Sequence, residues 1–329
     1  MNNPHPHQIS LQQHYHQQKR SYQYLLSQPK KRDKHQALPL ILFLHGRGEI
    51  GDDIHLLLDF GPNSYLKQHQ LDAICVSPQV PKGRNGWAIA ELISLLDELE
   101  QQHHIDRSRV YLTGLSMGGF GALNLALAQP QRFAALAVLA AGDPNRLAPW
   151  SMNMPARPVC AELYQRLAQL PIWLAHGLKD ETIPADFSQE LVDKLSQLER
   201  TASLQFTQYP QHGHNIWDEL YNRPSFWQWL LEQENLHPNQ TATVSGKFDA
   251  LLGDYGNHQD YVSITQEPQG LSLVCKDLQD KTLQFSLHPV ADKLFFCEIG
   301  CVRFIQQAEA PIQLALTRLT LLDKLPSSD

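Results

Sequence analysis

Residues 110–128 constrain this chain more than any other segment. A short apolar run, Val110-Tyr111-Leu112-Thr113, enters Gly114-Leu115-Ser116-Met117-Gly118-Gly119, and a helical period follows at once over 121–128. A strand that passes straight into a helix through G-x-S-x-G must turn so tightly that its central residue is strained. Only glycine leaves room for neighbouring backbone on either side. Such a turn holds the Ser116 hydroxyl clear of its sheet, and it demands a sheet with a helix laid back across it.

The surrounding pattern agrees with that demand. Apolar runs at 38–44, 73–76, 133–141, 172–175 and 203–209 alternate with helical periods at 88–99, 186–198 and 225–232. Strands alternating with helices of this length predict βαβ units and a mostly parallel sheet covered on both faces. Two runs near the start, 21–27 and 38–44, flank the charged Pro29-Lys30-Lys31-Arg32-Asp33-Lys34 and read as two strands joined by an exposed turn. Residues 1–19, rich in Gln and His, are expected to be flexible or poorly ordered. The catalytic unit is thus expected over 20–233.

Near residue 233 the period changes from 3.6 to 2. The polar stretch 234–241, which contains Pro238, reads as a linker, and beyond it Leu271/Leu273/Cys275, Leu283/Phe285/Leu287 and Leu314/Leu316 alternate. This predicts a small all-β domain over 242–329, a barrel or a sandwich.

Composition narrows the partners. The formal net charge is −7, so the basic footprint needed to neutralise phosphates is missing and nucleic acid is not expected as a partner. The longest apolar run, 133–141, is far shorter than the roughly 20 residues a bilayer span needs, so no membrane partner is expected either. No apolar signal segment opens the chain, which points to a cytoplasmic location. Five cysteines are too sparse for a disulfide framework. Cys297 and Cys301 would point the same way within one strand, but structural zinc wants four ligands, so small buried hydrophobes are the better reading.

A serine hydroxyl is a poor nucleophile until an oriented base takes its proton, so a carboxylate and a histidine should follow Ser116 in that order. Asp180 stands after the 172–175 run in His176-Gly177-Leu178-Lys179-Asp180-Glu181-Thr182-Ile183-Pro184, with Glu181 and Asp186 as rivals. His214 stands after the 203–209 run in Gln211-His212-Gly213-His214-Asn215-Ile216-Trp217, with His212 as its rival. Acyl transfer also needs donors at the developing oxyanion. The N–H of Met117 is one candidate; the backbone of Arg47, in His45-Gly46-Arg47-Gly48-Glu49, is the second.

With these residues in view, the chain resembles the α/β-hydrolase superfamily, and within it the predicted-peptidase, phospholipase/carboxylesterase, polyhydroxybutyrate-depolymerase-like and feruloyl-esterase-like group. The resemblance spans about residues 22–231. It rests on Leu44 to Glu49, Ser77-Pro78-Gln79-Val80-Pro81 with Trp87, Val110 to Gly119, His176-Gly177 with Asp180 and Pro184, and Gly213-His214-Asn215 with Trp217. It implies Ser116 as nucleophile, His214 as base and Asp180 as orienting acid, with no metal or cofactor. Trp87 and Trp217 are the expected substrate contacts, and the substrate a small-molecule or oligosaccharide-linked ester. From Ser245-Gly246-Lys247-Phe248 onward, the β-rich tail is similar to the small lipocalin-like domain appended to some serine hydrolases of the β-lactamase type. Peptidase or thioesterase chemistry on the same three residues, or ligand binding without turnover, are the competing expectations.

Overall fold

The computed structural model describes residues 6–31, 33, 35–143, 161–236, 238, 248–256, 261–267, 270–276, 282–291, 294–297, 300–306, 312–316 and 322–324. They divide into two compact units, Met1–Pro149 with Tyr164–Thr241 and Trp150–Leu163 with Ala242–Asp329.

In the first unit the chain runs β1 (His7–His16), β2 (Lys19–Pro29), β3 (Leu38–Leu44), α1 (Pro62–Leu66), β4 (Ile74–Gln79), α2 (Ile89–Gln102), β5 (Ile105–Leu115) and α3 (Met117–Ala128). It continues with β6 (Ala135–Leu139), α4 (Ala161–Ala168, which enters this unit at Tyr164), β7 (Ile172–Gly177), α5 (Asp186–Ser196), β8 (Leu204–Tyr209), α6 (Trp217–Tyr221) and α7 (Pro224–Leu231). The eight strands form one sheet in the order β1-β2-β4-β3-β5-β6-β7-β8. From β4 to β8 all neighbours are parallel, while β1, β2 and β4 pair antiparallel at one edge.

The central strands are buried on both faces, which is why they read as unbroken apolar runs rather than alternating ones. One face, with Phe43, Tyr111 and Ala137, packs on Tyr65 of α1, Leu220 and Tyr221 of α6 and Phe226 and Trp227 of α7. Helix α2 buries Ile89, Leu92, Leu95, Leu96 and Leu99, a stripe at three- and four-residue spacing.

Two expectations need correcting. From His7 onward the N-terminal segment is not poorly ordered: β1 pairs with β2 from His7↔Pro29 to His16↔Lys19. Its two buried polar side chains, His7 and His14, find partners. His14 Nδ1 lies 2.5 Å from Glu98 Oε2 of α2, and His7 Nε2 accepts the Leu71 N–H at 3.0 Å. Nor do β2 and β3 form a hairpin, because β4 stands between them.

The second unit is a closed barrel of β9 (Gly253–Gly256), β10 (Tyr261–Glu267), β11 (Gly270–Lys276), β12 (Thr282–Ala291), β13 (Leu294–Cys297), β14 (Gly300–Ile305), β15 (Gln313–Leu316) and β16 (Leu322–Lys324). Neighbours are antiparallel throughout, and β9 closes the ring between β16 and β10. Tyr255, Ile264, Leu273, Phe295 and Phe304 are among the side chains that fill its core. Cys297 and Cys301 do not share a strand: Cys297 ends β13, and Cys301 on β14 pairs with Phe296. Half of the expected linker, 234–241, and Ser245 to Lys247 lie outside the described residues.

Candidate active site

Three loops at the carboxyl edge of the parallel sheet carry the candidate residues, as the crevice rule for open α/β sheets requires. Ser116 joins β5 to α3 with φ 53° and ψ −122°, a region that L-residues avoid at a cost of about 1–3 kcal/mol. The turn is pinned by the Ser116 N–H donating to the Leu139 carbonyl at 2.8 Å. A Cβ on residue 118 would stand 1.9 Å from the Leu44 carbonyl oxygen, so glycine alone fits where α3 starts against β3.

The β7 and β8 loops meet because Gly177 lets them. A Cβ there would lie 2.0 Å from the Gly213 carbonyl oxygen. With the loops this close, His214 Nδ1 stands 2.7 Å from Asp180 Oδ2 and His214 Nε2 stands 2.9 Å from Ser116 Oγ. Asp180 Oδ1 accepts the N–H groups of Thr182 at 2.8 Å and Ile183 at 2.9 Å. Burial by itself would raise the Asp180 pKa. Hydrogen bonds from His176, His214 and the Ile183 N–H, together with the nearby His214 charge, outweigh it and hold the carboxyl well below the usual carboxylate range. Asp180 is therefore an acceptor, so His214 Nδ1 carries the hydrogen and Nε2 is left to accept the Ser116 hydroxyl proton.

The rivals lie elsewhere. Glu181 is exposed, and Asp186 sits exposed in the first turn of α5. His212 packs edge-on to Tyr209 at 5.3 Å, and its Nε2 is 3.7 Å from Glu219.

Comparison with known proteins points to esterases. Residues 87–237 match the family model "Putative esterase". The chain is 27% identical to "Probable feruloyl esterase C" of Aspergillus niger over 205 residues, 59% of this chain and 68% of that protein. Among solved structures it is similar to a thermostable esterase, with a TM-score of 0.59 at 23% identity over 69% of this chain. It spans only 63% of that esterase's length. A fluorophosphonate-binding serine hydrolase of Staphylococcus aureus gives a TM-score of 0.53 at 17% identity, covering 69% of this chain and all of that one. The chain has the α/β-hydrolase fold, and its residues 87–237 carry the esterase family match.

In this fold the loop after β3 runs beside the serine. The position a Cβ on Gly46 would take is 3.6 Å from Ser116 Cβ and 3.3 Å from Glu49 Oε2. His45 holds the loop from beneath: its Nδ1 lies 2.6 Å from the Gly46 carbonyl oxygen, and its Nε2 accepts the Val80 N–H at 2.9 Å. Burial pushes the His45 pKa down to about 4, so the ring is neutral at physiological pH. In a trans peptide the N–H points opposite to the C=O, so fixing the Gly46 carbonyl also fixes the direction of the Arg47 N–H. Met117 is the first residue of α3, where N–H groups have no partner within the helix.

The two candidate tryptophans differ. Trp217 is partly exposed and packs edge-on to His214 at 5.4 Å and against Phe60 at 6.1 Å. Trp87 is only 7% exposed, packs edge-on to His45 at 4.8 Å and donates from Nε1 to the His45 carbonyl at 3.3 Å. Its indole supports the loop from behind. Sequence reasoning gave no role to His45, Phe60 or His176. His45 and His176 each precede a glycine at a strand end, the signal that could have marked them. Among the described residues no group of three or more His, Cys, Asp or Glu is placed to hold a metal, and no described helix is long and apolar enough to cross a membrane.

Proposed function

We propose that this hydrolase cleaves carboxylic esters in two steps through an acyl-enzyme on Ser116. The observation that carries the reading is the single hydrogen-bonded line from Ser116 through His214 to an ionised Asp180. Ser116 Oγ attacks the ester carbonyl carbon as its proton passes to His214 Nε2, while Asp180 holds the ring in the Nδ1–H tautomer and stabilises the imidazolium. The N–H groups of Met117 and Arg47 receive the oxyanion, a reading supported by the helix start and by the pinned Gly46 carbonyl. Collapse of the tetrahedral intermediate expels the alcohol, which takes the proton from His214. Water, activated by the same base, then releases the acid. No step requires a metal or a cofactor.

The substrate is a small-molecule or sugar-linked ester. Its planar or apolar part packs on the exposed faces of Trp217 and Phe60, next to the base. The similarity to "Probable feruloyl esterase C" of Aspergillus niger supports an aromatic acyl group. The test is a fluorophosphonate probe followed by peptide mapping, beside a panel of p-nitrophenyl esters of rising acyl length, acetylated sugars and a feruloyl ester. Rapid labelling at Ser116, lost in Ser116→Ala, and turnover of at least one ester are expected. Wild-type protein that neither labels nor turns over any ester overturns the reading.

A further inference from the structure

Behind Asp180 lies a second histidine that the mechanism above does not use. His176, on β7, is fully buried. Its Nε2 is 3.1 Å from Asp180 Oδ2 and 2.9 Å from the Ile183 carbonyl oxygen, and its Nδ1 is 2.6 Å from Ser188 Oγ on α5. Ser188 Oγ also lies against the carbonyl of Ala141, just beyond β6, so its one hydroxyl hydrogen goes either to that carbonyl or to His176 Nδ1.

The proton on this ring can be located by its neighbours. A carbonyl oxygen has no hydrogen to give and Asp180 is ionised, so Nε2 must carry the hydrogen and face both as a donor. The Asp180 carboxylate then has four donors for its roughly four lone-pair directions: two backbone N–H groups on Oδ1 and two imidazoles on Oδ2. The oxygen that receives His214 is shared with His176.

We propose that His176 is a positioning residue for the catalytic line: its Nε2–H fixes the direction of Asp180 Oδ2 and draws off part of the negative charge that His214 would otherwise meet there. The inference rests on the esterase reading. Ser188 anchors the far side of the ring, so a chain of hydrogen bonds runs from Ser188 to His176, Asp180, His214 and Ser116. The titratable groups along it are His176 itself and Asp180 and His214 on the two loops; among the described residues α5 contributes Ser188 and the segment after β6 the Ala141 carbonyl.

The sign of the effect follows. With His176 removed, Oδ1 stays pinned by Thr182 and Ile183, and the uncompensated charge on Oδ2 falls to His214 alone. That stabilises the imidazolium, so the acid limb of kcat/KM moves to higher pH. A ring that merely filled space would leave the limb where it is.

The test compares full-length wild type, His176→Phe, His176→Gln and Ser188→Ala on p-nitrophenyl acetate from pH 5 to 9. His176→Phe should lower kcat about tenfold with KM within about twofold, and raise the acid limb by about half a pH unit. Ser188→Ala should move the limb less in the same direction, and His176→Gln, which can return an N–H to Asp180, should recover part of the loss. An unmoved limb in a folded His176→Phe overturns the proposal. Should that variant not fold, nitrogen-15 NMR of histidine-labelled wild type decides: Nε2 of His176 protonated across this pH range supports it, and Nε2 bare overturns it. The NMR result needs no turnover, so it stands apart from the esterase reading, which fails if wild type neither labels nor hydrolyses.

Discussion

His214 Nε2 and Ser116 Oγ stand 2.9 Å apart although 98 residues of chain separate them. The contact exists because β5, β7 and β8 end at the same edge of one parallel sheet, and because two glycine sites, at 118 and 177, let backbone pass where a side chain would collide. Nothing local to either residue produces it.

The identity of the base and acid can be tested by paired substitutions. His214→Ala should lower kcat by three or more powers of ten, as triad members act as a unit, while His212→Ala changes it by less than about tenfold. Asp180→Asn should cost orders of magnitude more than Glu181→Gln, whose side chain is exposed. Steady-state kinetics on one soluble ester checks all four, and a reversed order in either pair would reassign the role.

Backbone clearance at the serine turn gives a second prediction. Gly118→Ala places a methyl group 1.9 Å from the Leu44 carbonyl oxygen, and the obstacle is backbone rather than a side chain that could swing away. We expect a loss of about 3 kcal/mol and a fall in kcat through displacement of Ser116. Urea unfolding and kinetics would show both; an unchanged unfolding midpoint would refute the clash.

The supporting role of Trp87 predicts a particular kinetic signature. Trp87→Phe keeps most of the ring but removes the Nε1–H that reaches the His45 carbonyl. The variant should lose about 1 kcal/mol of stability and several-fold in kcat, with KM nearly unchanged. Trp217→Ala should instead raise KM for aromatic esters. A KM effect at Trp87 as large as that at Trp217 would return Trp87 to the substrate.

Acid should destabilise the protein through its buried histidines. Burial lowers the pKa of His45 and of His7 to about 4 in the folded state, against about 6.5 when unfolded. Between these values the unfolded chain binds protons that the folded one does not. Stability is therefore full above about pH 6.5 and falls on acidification toward pH 4, by up to about 1.4 kcal/mol per pH unit for each histidine. Asp180, with its depressed pKa, adds a further loss only below the ordinary carboxylate range. Urea midpoints at pH 4.5, 5.5, 6.5 and 7.5 should show this slope, and it should be shallower in His7→Gln.

Local pattern was enough to expose much of this molecule. The unbroken apolar runs of β3, β6 and β7 announce strands buried on both faces, and the period-2 alternation after residue 248 announces the antiparallel strands that close into a barrel. Ser116 was legible because G-x-S-x-G is a local device. Asp180 and His214 were legible as candidates because each follows a strand, but their rivals Glu181 and His212 are one and two residues away. Choosing between them takes loop geometry that only close approach of β7 and β8 supplies.

Other features were decided by tertiary structure alone. A Gln- and His-rich segment has no apolar signature, yet β1 forms because Glu98 and the Leu71 N–H wait for His14 and His7. The insertion of β4 between β2 and β3 depends on pairing across the sheet, which short-range pattern does not encode. Trp87 reads as an aromatic near the active site, and only packing shows its N–H spent on His45. The sequence by itself determined which segments are strands and helices and where a strained serine must sit, because those follow from periodicity and steric limits within a few residues. Which distant side chains share a proton was left to the folded sheet, because hydrogen bonds act over about 3 Å and chain order says nothing about that distance.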